Sequence, residues 1–135
     1  MKRIVKFRGK SKRTGEWLYG DLARNVEGAF AIVPPFEMTT DNLCDRYEVD
    51  EETIGQFTGM YDSVTREIYE GDILMCKAGY FVVQIDTDAA RFIATPTALF
   101  GKVYENEVSF TLRYNTIAYW FSVAGNIYDN AELLN

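Results

Sequence analysis

The sequence predicts a mainly β protein with little helix, built as a small β-barrel or sandwich. Aromatic residues make up 15% of the chain, and Tyr, Phe and Trp favour pleated, half-buried strands. Turn-forming residues recur at short intervals, and no long stretch has the spacing of an amphipathic helix.

Residues 3–8 read as a first strand, because basic residues alternate with Ile4, Val5 and Phe7. Residues 9–15 form a polar connection, and residues 16–24 a second strand led by Trp17, Leu18 and Tyr19. A turn at 25–28 precedes a third strand, 29–33, which stops at Pro34 and Pro35 because proline has no N–H for a ladder. Residues 36–42 are expected to be a loop. Short strands at 47–49 and 54–57 flank the acidic turn Asp50-Glu51-Glu52-Thr53.

In the second half, residues 58–62 lead through a polar turn to Glu67-Ile68-Tyr69, and Glu70-Gly71-Asp72 introduces a strand over 73–77. Gly71 can take the positive φ of a tight turn, and Asp72 can accept from backbone donors beside it. A turn at Ala78-Gly79 permits a return strand, 80–85, with Phe81, Val83 and Ile85 on one face, a hairpin of the kind found in small barrels. Over 103–121 strand alternation and helical spacing coexist, and the aromatic and β-branched content favours strands. The chain ends with a strand over 123–128 and a short helical turn over 129–134, capped by Asp129 or Asn130.

A chain of 135 residues can bury one core, or two small β-subdomains sharing one, without a disulfide or metal. With 47% hydrophobic and 25% charged residues the composition is globular. Cys44 and Cys76 lie in no Cys-x-x-Cys pair and are expected to be reduced thiols. No apolar run reaches the roughly 18 residues of a membrane helix, and the N-terminus is charged rather than signal-like. The expected compartment is a cytoplasm.

The net charge of -6 conceals a polarity. Residues 1–13 hold 7 of the 14 basic residues and no acid, leaving 7 basic against 20 acidic residues elsewhere. One reading is a basic arm on phosphates, whose affinity would fall steeply with salt. The other is a first strand lying against the acidic body of its own chain or of a neighbouring subunit.

Candidate chemistry is limited. The chain has no histidine, which removes the commonest general base, the Ser-His and Cys-His pairs and most catalytic zinc sites. Gly55-x-x-x-Gly59 sits in a polar, turn-rich context that suits neither a membrane dimer nor a nucleotide loop. The acidic group Asp45, Glu48, Asp50, Glu51 and Glu52 has the chemistry for Mg2+ or Ca2+, or for acid and base work on sugars, but not the spacing of a calcium loop. A solvated turn explains it, and a structural turn explains Asp72. No catalytic, cofactor or metal residue is assigned. The aromatics Trp17, Tyr19, Tyr61, Tyr69, Tyr80, Tyr104, Tyr119, Trp120 and Tyr128 exceed what one small core needs, and partly exposed Tyr or Trp favours recognition surfaces or strand-edge seals.

Three sets of segments carry a family resemblance: Lys6-Phe7-Arg8-Gly9-Lys10 with Thr14-Gly15-Glu16-Trp17-Leu18-Tyr19-Gly20; Gly55-Gln56-Phe57-Thr58-Gly59 with Glu67-Ile68-Tyr69-Glu70-Gly71-Asp72-Ile73; and Gly125-Asn126-Ile127-Tyr128-Asp129-Asn130 with Glu132-Leu133-Leu134. In this order they resemble the YopX family of phage and prophage proteins, although residues 86–120 carry no such segment. The resemblance implies a largely β architecture with an SH3-like barrel component and no established activity. Residues 1–57 then form an N-terminal β subdomain and 58–135 the SH3-like barrel, unless the two intertwine as one domain.

The expected function is a non-enzymatic accessory protein in a bacterial host, acting by self-assembly or on a host or phage protein. The alternatives are a nucleic-acid-binding module that uses the basic N-terminal segment, and a carboxylate-dependent hydrolase. The candidate interaction surface is Lys6, Arg8, Lys10, Trp17 and Tyr19. No cofactor and no membrane partner is expected.

Overall fold

In a computed structural model, residues 4–35, 46–97, 110–111 and 120–134 are described. The described residues are mainly β, with almost no helix; their strands are antiparallel and close no barrel. The chain divides into two units, Met1–Phe57 and Thr58–Asn135.

The first unit contains β1 (Phe7–Lys10), β2 (Trp17–Arg24) and β3 (Phe30–Val33), in the order β3-β2-β1. Strand β4 (Gly55–Tyr61) begins in this unit and pairs with β1 through Phe7↔Gln56 and Arg8↔Gly55. β1 starts later than the alternation suggested and runs through Gly9 and Lys10, two residues expected in the connection. The cause is Ser11, which closes a tight loop: its N–H donates to the Glu16 carbonyl and its carbonyl accepts from Gly15 N–H, each at 2.8 Å. Lys10 is thereby held in the ladder opposite Trp17. Asn25 makes the next turn, its Oδ1 accepting from the N–H groups of Glu27 and Ala29.

Residues 47–49 do not form the expected strand. Among the described residues Glu48 and Val49 make single bridges, to Ala31 and Ser11, while the Val49 N–H donates to the Phe30 carbonyl and the Asp50 N–H to the Lys10 carbonyl. The expected strand at 54–57 is the beginning of the longer β4. At Gly20 (φ 155) the backbone passes so close to β3 that a Cβ would lie 2.0 Å from the Val33 carbonyl oxygen.

The second unit holds the Thr58–Tyr61 part of β4 beside β5 (Glu67–Tyr69), followed by β6 (Asp72–Cys76), β7 (Gly79–Asp86), β8 (Arg91–Pro96), β9 (Phe110–Thr111) and β10 (Ser122–Asn126). Five of these strands form a sheet in the order β10-β6-β7-β8-β9. Ile68, Leu74, Phe81, Val83, Ala94 and Phe121 cluster as its core. Phe81 and Val83 share that core, but Ile85 at the end of the same alternation is exposed. Val82, on the opposite face, is fully buried, so β7 is covered on both sides. Strand β8 arises where no element was read. The expected loop at 36–42 lies outside the described residues, as do residues 103–109 and 112–119.

Gly71 adopts φ 91 between β5 and β6. Its N–H donates to Val83 at 2.9 Å, and its carbonyl accepts from Ile127 N–H at 3.0 Å. Asp72 is 2% exposed, and its Oδ2 accepts the Tyr69 N–H at 2.7 Å. The C-terminal turn is organised by Asn126, whose Oδ1 accepts from Tyr128 and Asp129. The Asp129 and Asn130 side chains bond back to Asn126, and the Asn130 carbonyl accepts the Leu133 N–H at 3.0 Å at the start of the 3-10 turn Ala131–Leu134.

Replacing Gly20 by Ala adds backbone overlap to strain and is expected to cost about 2–4 kcal/mol. Gly71→Val, which forces a β-branched residue to positive φ, is expected to cost about 1–3 kcal/mol. Glu51→Gln, on an exposed turn, should shift stability by less than about 0.5 kcal/mol. Denaturant melts of the three variants check the order; a neutral Gly71→Val would mean that the turn does not fix β6.

Candidate functional site

The five residues of the candidate surface lie on one face of the β1-β2 hairpin. In the antiparallel register Arg8 stands opposite Tyr19 and Lys10 opposite Trp17, and residues directly opposite project to the same side. Lys6 continues that alternation; its carbonyl accepts from Phe57 N–H at 2.9 Å, and its Nζ lies 5.0 Å from the Phe57 ring centre. The Arg8 guanidinium stacks 4.7 Å from the centre of the Trp17 ring, and Lys10 Nζ approaches the same ring at 5.6 Å. Across the sheet Arg8 faces Gly55, which has no side chain to crowd it. Each such cation–aromatic contact contributes about 0.5–2 kcal/mol, more as water is excluded.

The members differ in accessibility, and this sets what each can do. Arg8 is 5% exposed and Tyr19 45%; Lys6, Lys10 and Trp17 are intermediate. Trp17 therefore has its ring packed by the chain's own cations, and Tyr19 is the aromatic that the strip offers to solvent.

Beyond that strip, Lys12 meets an acidic residue of the same unit. Lys12 Nζ pairs with Glu48 Oε2 at 2.9 Å. The Glu48 hydrogen bond and charge raise the Lys12 pKa above its ordinary value, with burial opposing them and the fields of Asp50 and Glu51 assisting. Of the acidic group, Asp50 caps the 3-10 turn Glu51–Thr53, its Oδ1 accepting from Glu52 N–H at 3.1 Å. Thr53 Oγ1 accepts from the Lys10 N–H at 2.8 Å, tying this turn to β1. Asp45 lies outside the described residues. Among the described residues no three His, Cys, Asp or Glu side chains are grouped to hold a metal ion.

Of the remaining aromatics, Tyr69 is buried, Tyr61 is 37% exposed and Trp120 63%, while Tyr104 and Tyr119 lie outside the described residues. Cys76 carries a free thiol; Cys44 is outside the described residues. No helix among them is long and apolar enough to cross a membrane.

The family model described as YopX protein matches residues 6–135. No curated protein matches the chain. Within the matched span, the first pair of segments forms the β1-β2 hairpin, and the Glu70-Gly71-Asp72 turn meets the Asn126-Ile127 turn through the Gly71–Ile127 hydrogen bond.

Two carboxylates escaped the reading of the sequence. Asp62, 3% exposed, has Oδ1 accepting from the N–H groups of Val64 and Arg66 at 3.0 and 2.8 Å. Its Oδ2 accepts from Arg66 Nε and Val123 N–H, each at 2.9 Å. Asp86 plays a similar part after β7, accepting from Asp88, Ala89 and the Arg91 side chain. The available signal is an Asp at a strand end with an Arg four or five residues on, an Asx-turn pattern. Burial opposes ionisation of Asp62, yet the Val123, Arg66 and Val64 hydrogen bonds outweigh it and hold its pKa below the ordinary carboxylate value.

A depressed native pKa gives stability that is fully present above the unfolded value, about 3.9 for Asp, and lost as pH falls through the native value. Asp62→Asn leaves buried donors poorly matched and is expected to cost about 1–3 kcal/mol at neutral pH. Its stability should also fall less steeply than that of the unaltered chain below about pH 4. Denaturant melts between neutral and acid pH test both; parallel pH profiles would remove Asp62 from the acid limb.

Proposed function

Because the chain belongs to the YopX family over nearly its whole length, we propose that it is a non-enzymatic accessory protein of phage or prophage origin. It acts through protein–protein contacts in the cytoplasm of a bacterial host, with copies of itself or with a phage or host protein. The observation that carries this reading is the packing of Trp17: the Arg8 guanidinium covers its ring at 4.7 Å while Tyr19 beside it stays 45% exposed. Protein recognition surfaces favour a half-open tyrosine of this kind.

The same packing weighs against the nucleic-acid reading. Binding single strands needs open aromatic faces and cations that reach phosphates. Here Arg8 is 5% exposed and Lys12 is paired with Glu48. The SH3-like description of 58–135 stays part of the proposal, supported by the consecutive hairpins β6-β7-β8 over one core.

Fluorescence titration with a single-stranded oligonucleotide at low and high salt is expected to show no binding. Affinity capture from infected cells is expected to retain a protein, or further copies of the chain, that Tyr19→Ser loses without a change in melting. Oligonucleotide binding that weakens steeply with salt and disappears in Lys10→Glu would replace the proposal with the nucleic-acid reading.

A further inference from the structure

The pairing of β2 divides after Gly20. Its residues Trp17–Gly20 pair with β1 and Asp21–Arg24 with β3, on opposite edges of the strand. The Asn25 N–H donates to the Ala29 carbonyl, so alternation turns the backbone groups of Asp21 and Ala23 to β3 and those of Leu22 and Arg24 to the edge that β1 would occupy. On that edge the β1–β2 register ends at Phe7↔Gly20. Before Phe7 the chain follows β4 instead, the Lys6 carbonyl accepting from Phe57 N–H. Two matching pieces are thereby left open. Ile4 is 55% exposed and Val5 51%, while Leu22, across the ladder from the buried Ile32, is 36% exposed at the margin of the core. Asp21 beside it is exposed.

We propose that two copies of this chain exchange the segment Ile4–Lys6, each copy's segment extending the ladder along Asp21–Ala23 of the other. Continuing the β1–β2 register sets Lys6 opposite the partner's Asp21, Val5 opposite the partner's Leu22 and Ile4 opposite the partner's Ala23. The first pair joins opposite charges, and the second lays valine on leucine where the core is open, both of them stabilising cross-strand combinations. The same register aims the backbone groups of Val5 at those of Leu22, which then gain a donor and an acceptor. A second copy is the occupant because the chain itself carries the segment that matches this edge in charge, apolar character and register. An open strand edge is a template for another chain, and reciprocal exchange about a twofold axis covers both edges at once and leaves none for a third copy. The exchange rests on the proposed reading that copies of the chain associate, but it makes no use of Tyr19.

Sedimentation equilibrium at protein concentrations up to about 1 mM, a range suited to a short contact, tests the exchange. The unaltered chain is expected to form a reversible dimer. Lys6→Glu and Asp21→Lys each place like charges opposite one another and should raise its dissociation constant at least about tenfold. Mixed in equal amounts, the two variants should dimerise as the unaltered chain does, because each exchanged segment then meets the opposite charge. A segment that paired within its own copy would gain nothing from mixing. Leu22→Ser should weaken the dimer as well, and it keeps the test open if Lys6→Glu, which gives up the contact with Phe57, melts early. A chain that stays monomeric, a mixture that associates no better than its components, or a dimer indifferent to Leu22→Ser would overturn the proposal. So would a dimer that Tyr19→Ser dissolves, an outcome that leaves the Tyr19 contact standing; with the exchange, Tyr19→Ser keeps the dimer intact.

Discussion

The left-handed backbone at Gly71 constrains the whole second unit. With φ 91 the chain reverses between β5 and β6 and presents the Gly71 N–H to Val83 and its carbonyl to Ile127. Those bonds and the one from Tyr69 N–H to Asp72 Oδ2 bring β5, β6, β7 and the C-terminal turn to one point. β6 then lies between β7 and β10, and alternation sends Leu74 to the face shared by Phe81, Val83 and Ala94. Phe81 and Phe121 meet edge to face at 5.6 Å within that core, a geometry the ring quadrupoles favour. A side chain at residue 71 would need a conformation that L-residues seldom adopt, so packing far from the turn rests on one hydrogen atom in place of a Cβ.

The first unit depends on a different economy. Its opening strand alternates basic and apolar residues, and one face of the hairpin carries the cations. Burying Arg8 would be costly in an apolar setting; the indole of Trp17 provides a face of favourable electrostatics, and Gly55 opposite leaves room. A cluster of positive charge in a sequence is thus not by itself a surface for polyanions. Lys6 lies over Phe57, Arg8 and Lys10 over Trp17, and Lys12 against Glu48, so successive cations of the strand find aromatic or acidic groups within the same unit.

Hairpins with local turn chemistry were legible in the sequence. Asn25 and Gly71 act within a few residues of their own position, and the co-facial placement of Lys6, Arg8, Lys10, Trp17 and Tyr19 follows from a short hairpin with period-two alternation. Most of the misreadings come from contacts distant along the chain. The limits of β1 are set by Ser11 closing on Glu16 and by the Asp50 N–H reaching Lys10. Val49 is a strand residue by type, yet among the described residues its β pairing is a single bridge to Ser11. β8 takes its place from β7 through six paired positions, from Phe81↔Pro96 to Asp86↔Arg91, although Pro96 weakens its local signal. Asp62 joins Val123 across 61 residues, a pairing that no local pattern announces.

The carboxylates also bear on hydrolysis as a use for this fold. An acid catalyst at neutral pH needs a carboxyl whose pKa is raised, usually by burial without hydrogen-bond donors. Asp62 and Asp86 are enclosed, and burial alone would push both up. For Asp62 the Val123, Arg66 and Val64 bonds reverse that push; for Asp86 the Arg91 side chain and the Ala89 and Asp88 N–H groups do so. Both are held ionised, and their oxygens accept the backbone donors that shape a turn. Asp50 and Asp72 are likewise engaged with the N–H groups of Glu52 and Tyr69. A carboxylate that fixes a turn in this way keeps its charge because the fold draws on it, and the same hydrogen bonds that give it a structural use make it a poor proton donor.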